Sequence, residues 1–280
     1  MNIAIQGEIG SFHHQATTVL FADEECDILP CESFRKVFQS IEQGLADFGV
    51  VAVENSLYGS LHETYDQLVK TKFSIVGEIS LQIHQNLITQ PDVDFSQITE
   101  VLSHPAALDQ CRNFLETKLA NAKLIERADT AGAVAEIAIT KLPRQAAIAS
   151  RHASDLHHMS VIAESIEDET DNITRFIVIS PRPQTIQQAN KASLILTTNH
   201  QPGALYQALS VFEQNHANLT KLESRPVRGQ PFRYQFIIDV HANQSTLITL
   251  VHELEKLDCN VEVLGHYKTT PLNFTNQPAR

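Results

Sequence analysis

The chain has 280 residues, 42% hydrophobic and 19% charged, the composition of an ordinary folded protein of one large or two smaller domains. Lys and Arg number 21 against 33 Asp and Glu, and the formal net charge of −12 argues against a protein that neutralises nucleic-acid phosphates or docks on anionic lipid. The opening MNIAIQGEIG lacks the basic segment and long apolar stretch of an export signal, and no apolar run approaches the ~20 residues of a membrane span. The expectation is a cytoplasmic protein with neither a nucleic-acid nor a membrane partner.

Short apolar runs alternate with helical spacing through the first 180 residues. Asn2–Gln6 reads as a strand, followed by a helix carrying Ala16, Val19 and Leu20. Phe34, Val37, Phe38 and Ile41 fall at i, i+3, i+4 and i+7, an amphipathic helix. The β-branched run FGVVAV (48–53) predicts a strand buried on both faces. Leu61, Tyr65, Leu68 and Val69 give the next helical stripe. Then come a strand at VLS (101–103), one helix with Leu108, Cys111 and Leu115, a strand at KLI (123–125), and a helix with Val134 and Ile137. AAIA (146–149) and ITRFIVIS (173–180) complete an alternation that predicts an α/β domain of mostly parallel strands. The tract PRPQTIQQAN interrupts it and reads as a linker. Beyond it the expected order is strand, helix, two strands, helix, strand: a βαββαβ ferredoxin-like unit.

In open α/β sheets ligands bind beyond the carboxyl ends of strands, beside helix N-termini. The segments expected there are GEIGS (7–11), ENS (54–56), Ser103–His104, Asp129–Thr130 and NITR (172–175). They share hydroxyls, amides and helix-end N–H groups, a lining suited to an anionic small molecule. Ser103 and Thr130 also read as helix N-caps. The pairs His13–His14 and His157–His158, with His152, have no carboxylate or cysteine at ligand spacing, so no metal site is expected. No G-x-S-x-G elbow is present, and Cys26, Cys31, Cys111 and Cys259 show no C-x-x-C spacing and are expected reduced.

Taken together, these segments resemble the prephenate dehydratase family over almost the whole chain. GEIGSFHHQA (7–16) is similar to its opening glycine turn, and VAVENSLYGSLHETYD (51–66) carries its E-N-S-x-x-G block. SHPAALDQC (103–111) and DTAGAVAE (129–136) look like its central motifs, and AAIAS (146–150) with DNITRF (171–176) like its carboxyl-terminal signature. GALYQAL (203–209) and NLTKLESRP (218–226) resemble the phenylalanine-binding motifs of an ACT domain. The departures are Glu8 for proline, Ser11 for threonine, His13 for a small polar residue, and Ala106 for glutamine.

The resemblance implies a two-lobed, mostly parallel-sheet α/β catalytic domain over 1–180 with a periplasmic-binding-protein-like cleft. A linker at 181–191, an ACT regulatory domain at 192–270 and a tail at 271–280 would follow. It implies a carbon–oxygen lyase that turns prephenate into phenylpyruvate, water and carbon dioxide in phenylalanine biosynthesis, with no metal or organic cofactor. In that reading Thr174 donates to the leaving hydroxyl, Arg175 clamps a carboxylate, and Glu54 is a second acid or fixes Arg175. Ser11, Asn55, Ser56, Ser103, Gln110, Thr130, Asn172 and Phe176 would bind substrate. Gly203, Ala204, Leu205, Asn218, Leu219, Glu223, Ser224 and Arg225 would hold phenylalanine as feedback effector, in a homodimer or homotetramer. The alternatives are an arogenate dehydratase and a non-catalytic amino-acid sensor on the same fold.

Overall fold

The computed structural model describes residues 1–227 and 229–270; the expected tail at 271–280 lies outside them. The chain forms β1 (Asn2–Gln6), α1 (Phe12–Leu20), β2 (Asp27–Cys31), α2 (Phe34–Glu42), β3 (Phe48–Asn55), β4 (Gly59–Ser60), α3 (His62–Thr71) and β5 (Ser74–Gln82). There follow β6 (Asn86–Thr89), a 3-10 turn at Phe95–Gln97, β7 (Glu100–Ser103), α4 (Pro105–Gln110), α5 (Arg112–Lys118), β8 (Lys123–Glu126) and α6 (Thr130–Thr140). Next are β9 (Gln145–Ala149), α7 (Arg151–Leu156), β10 (Ser160–Ala163) and β11 (Ile173–Ser180). The chain continues with β12 (Lys191–Thr197), α8 (Ala204–Gln214), β13 (Leu219–Pro226), β14 (Tyr234–His241), α9 (Gln244–Lys256), β15 (Asn260–Tyr267) and β16 (Thr269–Thr270).

Two compact units result: Met1–Gln67 with Ile79–Phe176, and Leu68–Glu78 with residues 177–270. The first holds two lobes. In one, β1 lies parallel between β2 and β3, with β4 on β3. In the other, order β10-β6-β9-β7-β8, β7 runs parallel to β8 and β9, while β6 is antiparallel to β9 and β10. Continuous apolar runs make the central strands. Val50, Val51, Ala52 and Val53 of β3 are buried, as are Ala146 to Ala149 of β9, where the small Ala147 and Ala149 pack with Ala131, Ala133 and Val134 of α6.

One expectation is corrected. Leu108, Cys111 and Leu115 do not share a single helix, because the chain breaks between α4 and α5 at Cys111. The cause is Asp168: its N–H donates to the Gln110 carbonyl at 2.7 Å and its carboxylate accepts the Asn113 N–H at 3.2 Å, both groups taken from the helical ladder.

In the second unit β12, α8, β13, β14, α9 and β15 follow the βαββαβ order, with an antiparallel sheet of order β13-β14-β12-β15. Leu194, Leu196, Phe212, Ile238, Leu250 and Leu254 form its core. The four cysteines are free, and among the described residues no helix is long and apolar enough to cross a membrane.

Candidate active site

Within the first unit a cleft of about 250 Å³ opens between the two lobes. From one lobe it is lined by the turn after β1, the start of α1, the end of β3 and the start of β11. From the other it takes residues before β6 and the N-terminal ends of α4 and α6. The turn depends on Gly10, at φ +99°, where a Cβ would sit 3.2 Å from the Ala153 Cα. Ser11 then caps α1, its Oγ accepting the His14 N–H at 3.3 Å.

The end of β3 is tied to β11 by the Ser56 N–H, which donates to the Ile173 carbonyl at 2.8 Å. This brings Asn55 beside Asn172 and Thr174. The Asn55 Nδ2 donates to Asn172 Oδ1 at 2.7 Å and to Thr174 Oγ1 at 2.9 Å, while its Oδ1 accepts the Leu57 and Tyr58 N–H groups. Every polar atom of the Asn55 amide is thus committed, which fixes its orientation. Because Thr174 Oγ1 already accepts a hydrogen bond, its own O–H is free to donate into the cleft. The Asn172 Nδ2 and, across the cleft, Gln85 Oε1 are buried without a hydrogen-bond partner. Each such group costs about 1–3 kcal/mol unless a ligand or water satisfies it. Gln85 Nε2 donates to Gln110 Oε1 at 3.1 Å.

The structure brings Ser11, Asn55, Gln110, Thr130, Asn172, Thr174 and Phe176 to this cleft. It does not bring Glu54, Ser56, Ser103 or Arg175 there. Alternation along β11 explains Arg175: Thr174 and Phe176 face the cleft, and the residue between them points to the other face. The Arg175 side chain, 10% exposed, meets Glu54 Oε2 at 3.4 Å. Ser56 Oγ binds the backbone of Asp171 and Ile173, and Ser103 is buried with its Oγ donating to the Ile148 carbonyl at 2.6 Å. Neither Ser103 nor Thr130 is an N-cap. His104 caps α4 and Asp129 caps α6, its Oδ1 accepting the Gly132 N–H at 2.6 Å, because each is the last extended residue before its helix.

Among the lining residues Phe12, Ile83 and Gln85 carried no site signal of their own in the sequence, whereas His104 and Asp129 stand in segments expected there and His13 stands in the opening motif as a departure from a small polar residue. Gln85 lies in a segment without periodicity. Burial lowers the His13 pKa to about 3, so the ring is neutral. Among the described residues no cluster of three or more His, Cys, Asp or Glu is arranged to hold a metal.

In the second unit Gly203, Ala204 and Leu205 line a separate cavity of about 380 Å³ with Asn199, His200, Tyr206 and Arg233. Asn218, Leu219, Glu223, Ser224 and Arg225 are in or beside β13 and do not line it. The Glu223 carboxylate lies 3.1 Å from Lys221 Nζ.

Two α/β lobes facing a cleft lined by hydroxyls, amides and the Asp129 carboxylate define a periplasmic-binding-protein-like fold. The family model described as prephenate dehydratase matches residues 3–184. The arogenate dehydratase/prephenate dehydratase 2 of Arabidopsis thaliana is 36% identical over 283 residues, covering 95% of this chain and 72% of its own. The prephenate dehydratase of Arthrobacter aurescens, solved in complex with L-Phe, superposes with a TM-score of 0.83 at 27% identity, covering 100% of this chain and 92% of its own. GqqA, a quorum-quenching acylase, superposes with a TM-score of 0.84 at 28% identity, covering 97% and 99%. The chain belongs to the prephenate dehydratase family and is a carbon–oxygen lyase of aromatic amino acid biosynthesis.

Proposed function

We propose that this enzyme converts prephenate to phenylpyruvate, carbon dioxide and water, under feedback control by phenylalanine. The observation that carries the catalytic reading is the Asn55–Thr174 hydrogen bond, in which the amide donates and leaves the Thr174 proton uncommitted at the cleft wall. The bond from the ring to its carboxylate breaks, and the electron pair moves through the diene to expel the hydroxyl on the opposite ring carbon. That oxygen accepts a hydrogen bond from Thr174 and leaves as water with a proton that the hydroxyl relays from solvent, and the ring becomes aromatic. The protein's part is to hold the dianion and assist the leaving group. Asn172 Nδ2 is a further donor, and Phe176 supplies an apolar wall for the ring.

A keto side chain is favoured over the aminated one of arogenate by the lining. Its only carboxylate among the described residues is Asp129, and that one caps α6. An acylase activity like GqqA's is not favoured, since a nucleophilic hydroxyl needs an adjacent base and the partner of Thr174 is an amide.

The βαββαβ unit is read as an ACT domain over 192–270, joined by a linker at 181–191 to a catalytic domain over 1–180. The cavity at Gly203–Leu205 supports an amino-acid effector site, and the open edge of β13 supports assembly into a homodimer or homotetramer. The deciding assay follows phenylpyruvate formation from prephenate, and phenylalanine formation from arogenate, each with and without added phenylalanine. Prephenate turnover that falls with phenylalanine is expected. Turnover of arogenate alone reverses the substrate assignment, and turnover indifferent to phenylalanine removes the regulatory one.

A further inference from the structure

His13 is the second residue of α1 and lines the cleft, yet it stands outside the machinery described above. Its ring is held from three sides. Phe176 meets it edge-on at 5.0 Å and 85°, Phe34 lies 5.7 Å away, and its Nε2 accepts the backbone N–H of Ala52 at 3.2 Å. Ala52 lies on β3 past Val50, the last β3 residue in register with β1, so the imidazole occupies the place of a strand neighbour there.

The Ala52 bond settles the tautomer. A nitrogen that accepts a backbone N–H carries no proton, so in the neutral ring the proton sits on Nδ1. Among the described residues Nδ1 has no hydrogen-bond partner, while the side chain borders the cleft beside Phe176, two residues along β11 from Thr174.

We propose that His13 presents a fixed Nδ1–H donor to the cleft and positions a carboxylate or keto oxygen of the substrate. The inference rests on the dehydratase reading and deepens it. During decarboxylation negative charge leaves the carboxylate, so a cation placed against it would hold the ground state more tightly than the transition state and slow the step. A donor without charge gives direction while adding little of that penalty. Burial, which keeps His13 from protonating near neutral pH, preserves this property.

Two amide substitutions separate the donor from the structural bond. In His13→Asn the side-chain amide overlies the Nδ1 position and keeps a donor there, but the Ala52 N–H loses its acceptor. In His13→Gln the amide oxygen reaches the Nε2 position and keeps the Ala52 bond, but the Nδ1 donor is gone. Expected is a kcat/KM for prephenate lowered about 10- to 100-fold in His13→Gln with its Tm near wild type, and a smaller kinetic loss in His13→Asn despite a lower Tm. The opposite kinetic order, or equal losses that track Tm, overturns the proposal. The tautomer is read independently by nitrogen-15 NMR of the ring between about pH 5 and 8. A protonated Nδ1 whose shift moves when phenylpyruvate is added supports the donor, and an unprotonated Nδ1 overturns it. Wild-type protein inactive on both prephenate and arogenate refutes the dehydratase reading, whereas the ring spectrum still decides the tautomer.

Discussion

The Asn55 amide and the Thr174 hydroxyl, 119 positions apart in sequence, lie 2.9 Å apart with the amide donating. In the proposed mechanism that direction leaves the Thr174 proton uncommitted and available to a ligand in the cleft. Removing the donor in Thr174→Val is expected to lower kcat by about 10²–10⁴-fold with little change in KM, the span of general acid assistance. Thr174→Ser keeps the hydroxyl and loses less. Steady-state kinetics on folded variants decide, and a Thr174→Val enzyme with full kcat refutes the role.

Asn55→Asp is a sharper test of the same bond. A carboxylate in place of the amide accepts the Thr174 proton instead of donating to its oxygen, so the hydroxyl turns away from the cleft. Activity is expected to fall nearly as far as in Thr174→Val, although the substitution changes only one atom. Asn172 Oδ1 also loses its donor, so a thermal melt accompanies the kinetics.

Acid stability follows from the buried histidine. The folded-state pKa of His13 is lowered to about 3, against about 6.5 in the unfolded chain, so below pH ~6.5 protons bind the unfolded state preferentially. Stability is expected to fall by about 1.4 kcal/mol per pH unit from this group, or about 2 kcal/mol between pH 6.5 and 5. His14 and His152, whose rings meet at 2.9 Å, are lowered by burial and act with the same sign. His84 acts oppositely. Its pKa is raised first by the hydrogen bond to Glu167, so its contribution is present below the unfolded value and is lost as pH rises through the folded one. Urea melts of wild type and His13→Gln at the two pH values measure the difference. An equal pH slope in both refutes the assignment to His13.

In the second unit Lys191 Nζ lies 2.8 and 3.0 Å from the two oxygens of Glu78, both side chains buried. Glu78→Leu alone leaves a buried cation and is expected to cost about 3–5 kcal/mol. The double change Glu78→Leu with Lys191→Met removes both charges and is expected to recover most of that loss. Denaturant midpoints of the three variants test it, and additive losses contradict the coupling.

Gly265 sits on β15 where the pairing with β12 slips a residue, and a Cβ there would lie 2.1 Å from the Ile75 carbonyl oxygen. Gly265→Ala is expected to destabilise the second unit by at least the upper end of the overpacking range of about 1–3 kcal/mol. Gly44→Ala, where nothing lies within 4 Å and only a φ of +69° resists, is expected to cost about 1–2 kcal/mol. Similar midpoints for the two variants remove the packing argument.

The order of elements was legible because it is written in local spacing. The Phe34–Ile41 stripe, the buried run of β3 and the βαββαβ order all follow from periods that neighbouring residues carry by themselves. The segments at strand ends were legible for the same reason, and the family was readable from short motifs. Which atoms of those motifs meet the cleft was another matter. Alternation on β11 turns Thr174 and Phe176 in and Arg175 away, but the choice of face belongs to the sheet around it. Ser103 was lost to the Ile148 carbonyl, and the α4–α5 break to the carboxylate of Asp168. The partner of His13 Nε2 was set by the N–H of Ala52 on β3. Hydrogen-bond partners far apart in sequence are chosen only when the strands are laid side by side, because each buried polar atom takes the partner that the packed backbone leaves within its reach.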